Sequence, residues 1–561
     1  MSRARENICD VLIESGIDHV FGIPGGGTIP IWNSLYDRQD KIRAVLTRHE
    51  QTASCMADLY GRVTGKPAVL MGQGAFIASS GGFGILEAYL SGSPMLVLTD
   101  TSDGGTFSQY SSYQSGSGEY GSFDIRDILR GMSKYTCFAA TPEETVTGVQ
   151  LAIKHSMTGR PGPACVVMRP GAISGEINPD RIPRIHPTQG YLKGNKSLVP
   201  AEDIEKAAGL LSQAERPVIV AGQGVHSSKS HAELQELSEL ITAPVATSYK
   251  GKSAMAEVHP LALGMMGTFG QKAANSEISQ ADLILVAGCH MSPSDTKNMS
   301  PGLIDPTRQK IIQIDIEPLN AGWTWPVDMA LVGDLKNVLG QLIEALKGKV
   351  SPSDERVKSL EQKKAETDFF EAPETKSDDS PILPQRLVKE IEAAVDETAL
   401  ITLDAGNNRL WMSRFFKSKT AGSVFCPGGI AGMGWGPPAA VAAKLLHPDR
   451  PVLSVCGDGG FTMVLNVLST AVQYDLPLVF LVMNNSVLGM VRDGQRDKPI
   501  ASEFTPTNFA QIGQAFGCNG VRVTKVEEVQ PAIKEAFQSS KPTVIDVDTS
   551  SGESFYKIID R

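Results

Sequence analysis

Short apolar runs, each ending in a small-residue turn and followed by helical periodicity, recur along this chain and leave few folds open to it. In residues 1–185 the runs are AVLMG (68–72), MLVLTD (95–100) and ACVVM (164–168). Runs that are apolar at every position, rather than at alternate ones, mark strands buried on both faces, as in parallel sheets covered by helices. Residues 200–346 open on the helical run AEDIEKAAGLLSQA (201–214) and continue with PVIVAG (217–222), ADLILVAG (281–288) and KIIQIDI (310–316). Residues 382–561 carry ALITLDAG (399–406), PVLSVCGDGG (451–460) and PLVFLVMNN (477–485). The alternation predicts an α/β protein of three doubly wound parallel-sheet domains, 1–185, 200–346 and 382–561. PRIHPTQGYLKGNKSLVP (183–200) reads as the first linker, and the charged, turn-rich segment 347–381 as the second separator.

A net charge of −10 argues against nucleic acid as a partner, because phosphate neutralisation needs a basic footprint. The N-terminus forms an amphipathic helix, with Ile8, Val11, Leu12 and Ile17 on one side. With no apolar run of signal or membrane-spanning length, no membrane partner and a cytoplasmic location are expected. The eight cysteines are scattered without a C-x-x-C pair and read as reduced core residues, and the nine histidines lack metal-site spacing.

The sharpest chemical signal is in the third domain. The strand PVLSVC runs into Gly457-Asp458-Gly459-Gly460, and 27 positions after Asp458 a second buried strand has run into Asn484-Asn485. Open α/β sheets bind ligands past their strand carboxyl ends. Glycines there let backbone N–H groups approach a phosphate, and a carboxylate with a carboxamide suits a hard ion such as Mg²⁺. CPGGIAGMGWGPPAAVAAK (426–444) reads as a small-residue loop entering a helix that starts with Pro437 and Pro438. RHEQTASCMADLYGRVTGKP (48–67) places Glu50 ahead of an apolar helix, where an acid also suits the helix dipole.

Together these stretches resemble the thiamine-diphosphate-dependent enzymes of the acetolactate synthase, pyruvate oxidase and 2-oxo acid decarboxylase type, over essentially the whole chain. The resemblance implies pyrimidine-binding, central and diphosphate-binding domains. It implies Mg²⁺ held by Asp458, Asn485 and the backbone carbonyl of Val487. Gly457, Gly459, Gly460, Gly406 and Asn407 are then cofactor-binding, as are the Ala431 carbonyl and the Met433 side chain, over which the two cofactor rings bend. Glu50 becomes the catalytic glutamate at N1′ of the aminopyrimidine, with a raised pKa in an apolar site. The family shares each active site between subunits, so a homodimer, assembled into a tetramer, is expected. The substrate is a 2-oxo acid, with a second carbonyl compound as acceptor.

Substrate-facing positions depart from the biosynthetic synthases. Gly494 stands where they carry Trp, Ser294 where they carry the Arg for substrate and flavin, and Asp124 in their F-Q-E stretch. Gly26, Gln73, Asp124 and Gly494 are the candidate substrate-pocket residues. DGGTFSQYSSYQSGSGEYGS (103–122) is a candidate substrate lid beside them. Ser91-Gly92-Ser93-Pro94 lacks the histidine of the simple decarboxylases, which favours carboligation over plain decarboxylation. FAD stands as a candidate cofactor, since PVIVAGQG (217–224) resembles flavin-binding members. The rivals are a NAD enzyme, for which GQGVHS (222–227) offers two of three glycines, and a catalytically inactive member.

Overall fold

The computed structural model describes residues 2–102, 113–119, 121–178, 180 and 197–559. Residues 103–112 and 120 of the expected lid, and 183–196 of the first linker, lie outside the described residues.

Each apolar run forms a strand. The first sheet comprises β1 (His19–Gly22), β2 (Arg43–Leu46), β3 (Ala68–Gly72), β4 (Met95–Asp100), β5 (Tyr135–Ala139) and β6 (Pro163–Met168), in the order β2-β1-β3-β4-β6-β5. The second comprises β7 (Pro217–Ala221), β8 (Val245–Thr247), β9 (Ala262–Met265), β10 (Leu283–Ala287), β11 (Lys310–Asp315) and β12 (Met329–Val332), in the order β12-β11-β10-β7-β8-β9. The third comprises β13 (Leu400–Leu403), β14 (Val424–Phe425), β15 (Val452–Gly457), β16 (Val479–Asn484), β17 (Asn519–Val523) and β18 (Thr543–Asp548), in the order β14-β13-β15-β16-β18-β17. Every pairing is parallel, so each connection is a crossover; among the described residues helices fill every connection of the first and third sheets, but in the second only those between β7 and β8 and between β9 and β10. The first and third sheets share one strand order, and the second follows the order of dinucleotide-binding sheets.

The chain divides into two compact units. One holds Met1–Asn195 with Gly428–Leu446 and Val464–Tyr474; the other holds the remainder, with the second and third sheets. In the first unit the helix Gly436–Leu446 packs on the helix Glu50–Thr64. Residues 436–445 are all buried, as are 52–62 of the partner helix, and the small side chains of GPPAAVAA allow the close approach. The N-terminal helix spans Ala4–Glu14 and buries Ile8, Val11 and Leu12; Ile17 is buried beyond its end. In the second unit the central and third cores are built from the strands and their covering helices.

The separator 347–381 differs from its reading as turns. It contains a helix, Asp354–Glu366, capped by Ser353, whose hydroxyl accepts from the Arg356 N–H at 3.2 Å. Only Leu360 of that helix is buried, so it shows no apolar stripe; the cap and the acids after it were its only signal. None of the eight cysteines is in a disulfide, and seven of them are buried. Among the described residues no helix is long and apolar enough to cross a membrane.

Candidate active site

In the third sheet β13 and β15 are neighbours although β14 lies on the far side of β13, so the chain leaves these two strands in opposite directions. Such a reversal opens a crevice at the strand carboxyl ends. Gly406-Asn407 follows β13 there, and Asp458 follows β15. Gly406 adopts φ +116°, a conformation open to glycine, and turns the chain into the helix Asn407–Phe415. Asn485 follows β16, the next strand over.

The buried carboxylate of Asp458 organises this end of the sheet. Its Oδ1 accepts from the Gly459 N–H at 2.7 Å, and its Oδ2 from the N–H groups of Asn485 at 3.1 Å and Ser486 at 2.5 Å. These bonds tie the β15 turn to the β16 turn, where Ser486 sits at φ +58°. The Asn485 Oδ1 accepts from the Val487 N–H at 3.3 Å. Asn484, by contrast, donates to Thr507 O and Asp546 Oδ1 and is a structural residue. Burial pushes the Asp458 carboxyl above the usual carboxylate range, against the pull of its three N–H donors.

A buried acid with no ion-pair partner among the described residues is a site that a cation would stabilise. The oxygen donors here, a carboxylate, a carboxamide and the backbone at Val487, fit Mg²⁺. Among the described residues no group of three or more His, Cys, Asp or Glu assembles as a metal site, so such an ion would take its remaining ligands from water and phosphate. Asn407 lies close by in the same crevice: its Nδ2 donates to Asp493 at 3.3 Å, while its buried Oδ1 has no partner.

The first sheet has the equivalent reversal between β1 and β3, and two of the first domain's substrate-pocket candidates, Gly26 and Gln73, sit there. Gly26 lies in the turn after β1, and Gln73 follows β3, its Nε2 donating to Gln114 at 2.8 Å and Ser102 at 3.3 Å. Both turns are pinned by Asp100, at the end of β4. Its carboxylate accepts from the Gly27 N–H and, at 2.8 Å, from the Gly74 N–H. Burial pushes this carboxyl up as well. Sequence reasoning missed Asp100, although an acid ending the otherwise apolar run MLVLT was a visible signal.

Glu50 is the first residue of its helix, with His49 as the cap. Its carboxylate is half-buried and takes no hydrogen bond among the described residues, which leaves it available to a ligand. Asp124 is placed differently: it caps the helix Ile125–Arg130, accepting from the Arg126 N–H at 2.8 Å, and pairs with the Arg126 guanidinium. Gly494 is exposed in the helix Gly489–Gln495, and a Cβ added there meets nothing within 4 Å. Ala431 adopts φ +53°, and the half-buried Met433 follows it.

The central sheet reverses between β7 and β10, where Gly222-Gln223-Gly224 follows β7. The Gly224 N–H donates to Gly288 O at 2.9 Å, and a Cβ on Gly222 would lie 2.3 Å from the same oxygen. These glycines pack two chain segments against each other.

Comparison with known proteins gives the same organisation. Residues 2–115 match the N-terminal thiamine pyrophosphate-binding domain of thiamine pyrophosphate enzymes, 204–342 their central domain, and 404–547 their C-terminal binding domain. A probable acetolactate synthase large subunit of Methanocaldococcus jannaschii is 33% identical, over 98% of this chain and 93% of its own. An acetolactate synthase large subunit of Corynebacterium glutamicum is 30% identical, over 95% of this chain and 85% of its own.

Proposed function

Because the chain belongs to the thiamine pyrophosphate enzymes of the acetolactate synthase and pyruvate oxidase type, we propose that it is a carboligase. It decarboxylates a 2-oxo acid and joins the acyl unit to a second carbonyl compound. The observation that carries this reading is the buried Asp458 carboxylate at the third sheet's reversal, joined through the N–H groups of Asn485 and Ser486 to the turn after β16.

When bound, thiamine diphosphate supplies the carbon nucleophile that adds to the 2-oxo acid and accepts the electrons released with CO₂. Asp458, Asn485 and the Val487 carbonyl would hold Mg²⁺. The turns at Gly457–Gly460 and Gly406-Asn407 admit the phosphate oxygens. The Ala431 carbonyl would accept from the 4′-amino group, Met433 would support the rings, and Glu50 would exchange a proton at N1′. Gly26 and Gln73, held in place by Asp100, face the substrate. Glu50 would serve the cofactor of the partner subunit in a homodimer, with two dimers forming the tetramer. The domains run 1–185, 200–346 and 382–561, and the protein works in the cytoplasm.

The deciding experiment is incubation with a panel of 2-oxo acids, with and without acceptor aldehydes, reading products by mass spectrometry. Hydroxyketones that appear only when both partners are present are the expected result. Free aldehyde as the sole product would make the protein a decarboxylase, although Ser91-Gly92-Ser93-Pro94 offers no histidine for that protonation.

The open space at Gly494 carries a further expectation. Gly494→Trp leaves the melting temperature within a few degrees, since the position is exposed and an added Cβ meets nothing within 4 Å. It narrows the pocket and lowers kcat/KM for bulky 2-oxo acids relative to pyruvate by about 10-fold or more. An unchanged ratio across the panel would place residue 494 outside the pocket.

A further inference from the structure

The loop that carries Ala431 and Met433 is fastened by a carboxylate that no motif announced. Glu87, fully buried in the helix Gly82–Ser91, accepts at Oε1 from the N–H groups of Gly428 at 2.9 Å and Gly429 at 2.8 Å, and at Oε2 from Ala431 N–H at 3.0 Å. Its Oε1 also accepts from Arg62 Nη2 at 2.6 Å and from Ser91 Oγ at 2.9 Å. Arg62 in turn pairs with Asp58 at 2.7 Å and lies 4.8 Å from the Trp435 ring centroid, while Trp435 Nε1 donates to Asp58 at 2.8 Å. One cation thus stands among two buried carboxylates, which also accept from backbone and indole N–H groups of 428–435 and from the Ser91 hydroxyl.

Packing alone does not call for this arrangement, because buried ion pairs are weak sources of stability. What a carboxylate does that an alkyl group cannot is select a backbone conformation. Three N–H groups converge on it, and the last belongs to Ala431, at φ +53°, a region that residues other than glycine seldom enter. Although burial pushes the Glu87 carboxyl up, Arg62 and the N–H groups of Gly428 and Gly429 hold it down at about 2, so it accepts as an anion. Gly429 approaches so closely that a Cβ there would lie 2.7 Å from Glu87 O.

We propose that Glu87 is a positioning residue, which holds Ala431 in its left-handed conformation and so fixes the Ala431 carbonyl and the Met433 side chain where the cofactor rings rest. The proposal builds on the assignment of those two residues to the rings. Asp58 and Arg62 lie on the helix that begins at Glu50, so the loop and the proton-transferring acid are set by one rigid element.

The test titrates thiamine diphosphate at saturating Mg²⁺ by tryptophan fluorescence and measures kcat and the KM for the 2-oxo acid. Glu87→Gln is expected to raise the cofactor dissociation constant and lower kcat, each by about 10-fold or more, with the substrate KM changed by less than about threefold. Combining it with Ala431→Gly, which removes the conformational cost, is expected to cost less than the product of the two single effects. Met433→Ala separates the two assignments. If it impairs cofactor binding while Glu87→Gln changes neither constant by more than about twofold, the positioning role falls and the ring assignment stands. If Met433→Ala and Glu87→Gln are both silent, the ring assignment falls and the proposal with it. Should Glu87→Gln not fold, Ser91→Ala decides: a loss of about two- to fivefold in both constants supports the proposal, and no loss overturns it.

Discussion

Asp458→Asn is expected to abolish Mg²⁺-dependent binding of thiamine diphosphate while leaving the fold intact. The substitution keeps the shape and one oxygen, so the N–H groups of Asn485 and Ser486 keep their acceptor. The new amide NH₂ faces the Gly459 N–H, which loses its acceptor, at a cost of about 1–3 kcal/mol. Against that, a buried negative charge without a cation is removed, and its burial was already unfavourable, as the upward shift of the carboxyl shows. The two effects oppose each other, so the melting temperature of the cofactor-free protein moves little. The ligand-bound state has no such compensation. Losing a charged ligand from a partly dehydrated site costs about 3–5 kcal/mol, or about 10²–10⁴ in affinity. Thermal melts with and without Mg²⁺ and thiamine diphosphate read both quantities together. The expected record is an unchanged baseline and a lost ligand-induced rise. A variant whose melting temperature still climbs with cofactor, at the wild-type midpoint concentration, would remove Asp458 from the metal site.

The same residue shows why this part of the site was legible in the sequence. Asp458 and Asn485 each follow a strand buried almost end to end, so strand and turn could be read from local sequence alone. Gly26 and Gln73 likewise lie just beyond strand carboxyl ends, so their turns could be read in the same way. What local sequence could not show was the order of strands, which alone places β13 beside β15 and β1 beside β3 and so makes those ends crevices. It could not show long-range polar contacts either. Glu87 sits inside an apolar helix and meets residues more than 340 positions away, and Asp100 acts on turns 26 and 73 positions before it. Asp124 illustrates the converse: an acid two residues ahead of Arg126 at a helix start has a local use as a cap, and the structure shows that use.

Glu50→Gln is expected to have the largest effect on turnover, and for a reason distinct from that of Asp458. The carboxylate makes no hydrogen bond among the described residues and lies in the first turn of the helix Glu50–Thr64, so its contribution to stability is a dipole interaction of about 0.3–1 kcal/mol. Its neighbours on the helix do the structural work: Thr52 donates to Asn466 at 2.7 Å, and Arg62 and Asp58 anchor the far end. The variant therefore melts within a few degrees of the wild type and still binds Mg²⁺ through Asp458. What it loses is proton transfer, since an amide can hydrogen-bond N1′ but cannot move a proton there. General acid–base catalysis of this kind contributes about 10²–10⁴ in rate, and kcat should fall by that factor. Exchange of the thiazolium C2 proton, followed by NMR after acid quench in deuterated water, isolates the step: it slows in parallel with kcat if Glu50 drives it. Exchange at the wild-type rate would separate Glu50 from cofactor activation and return it to the helix dipole that its position in the first turn equally well serves.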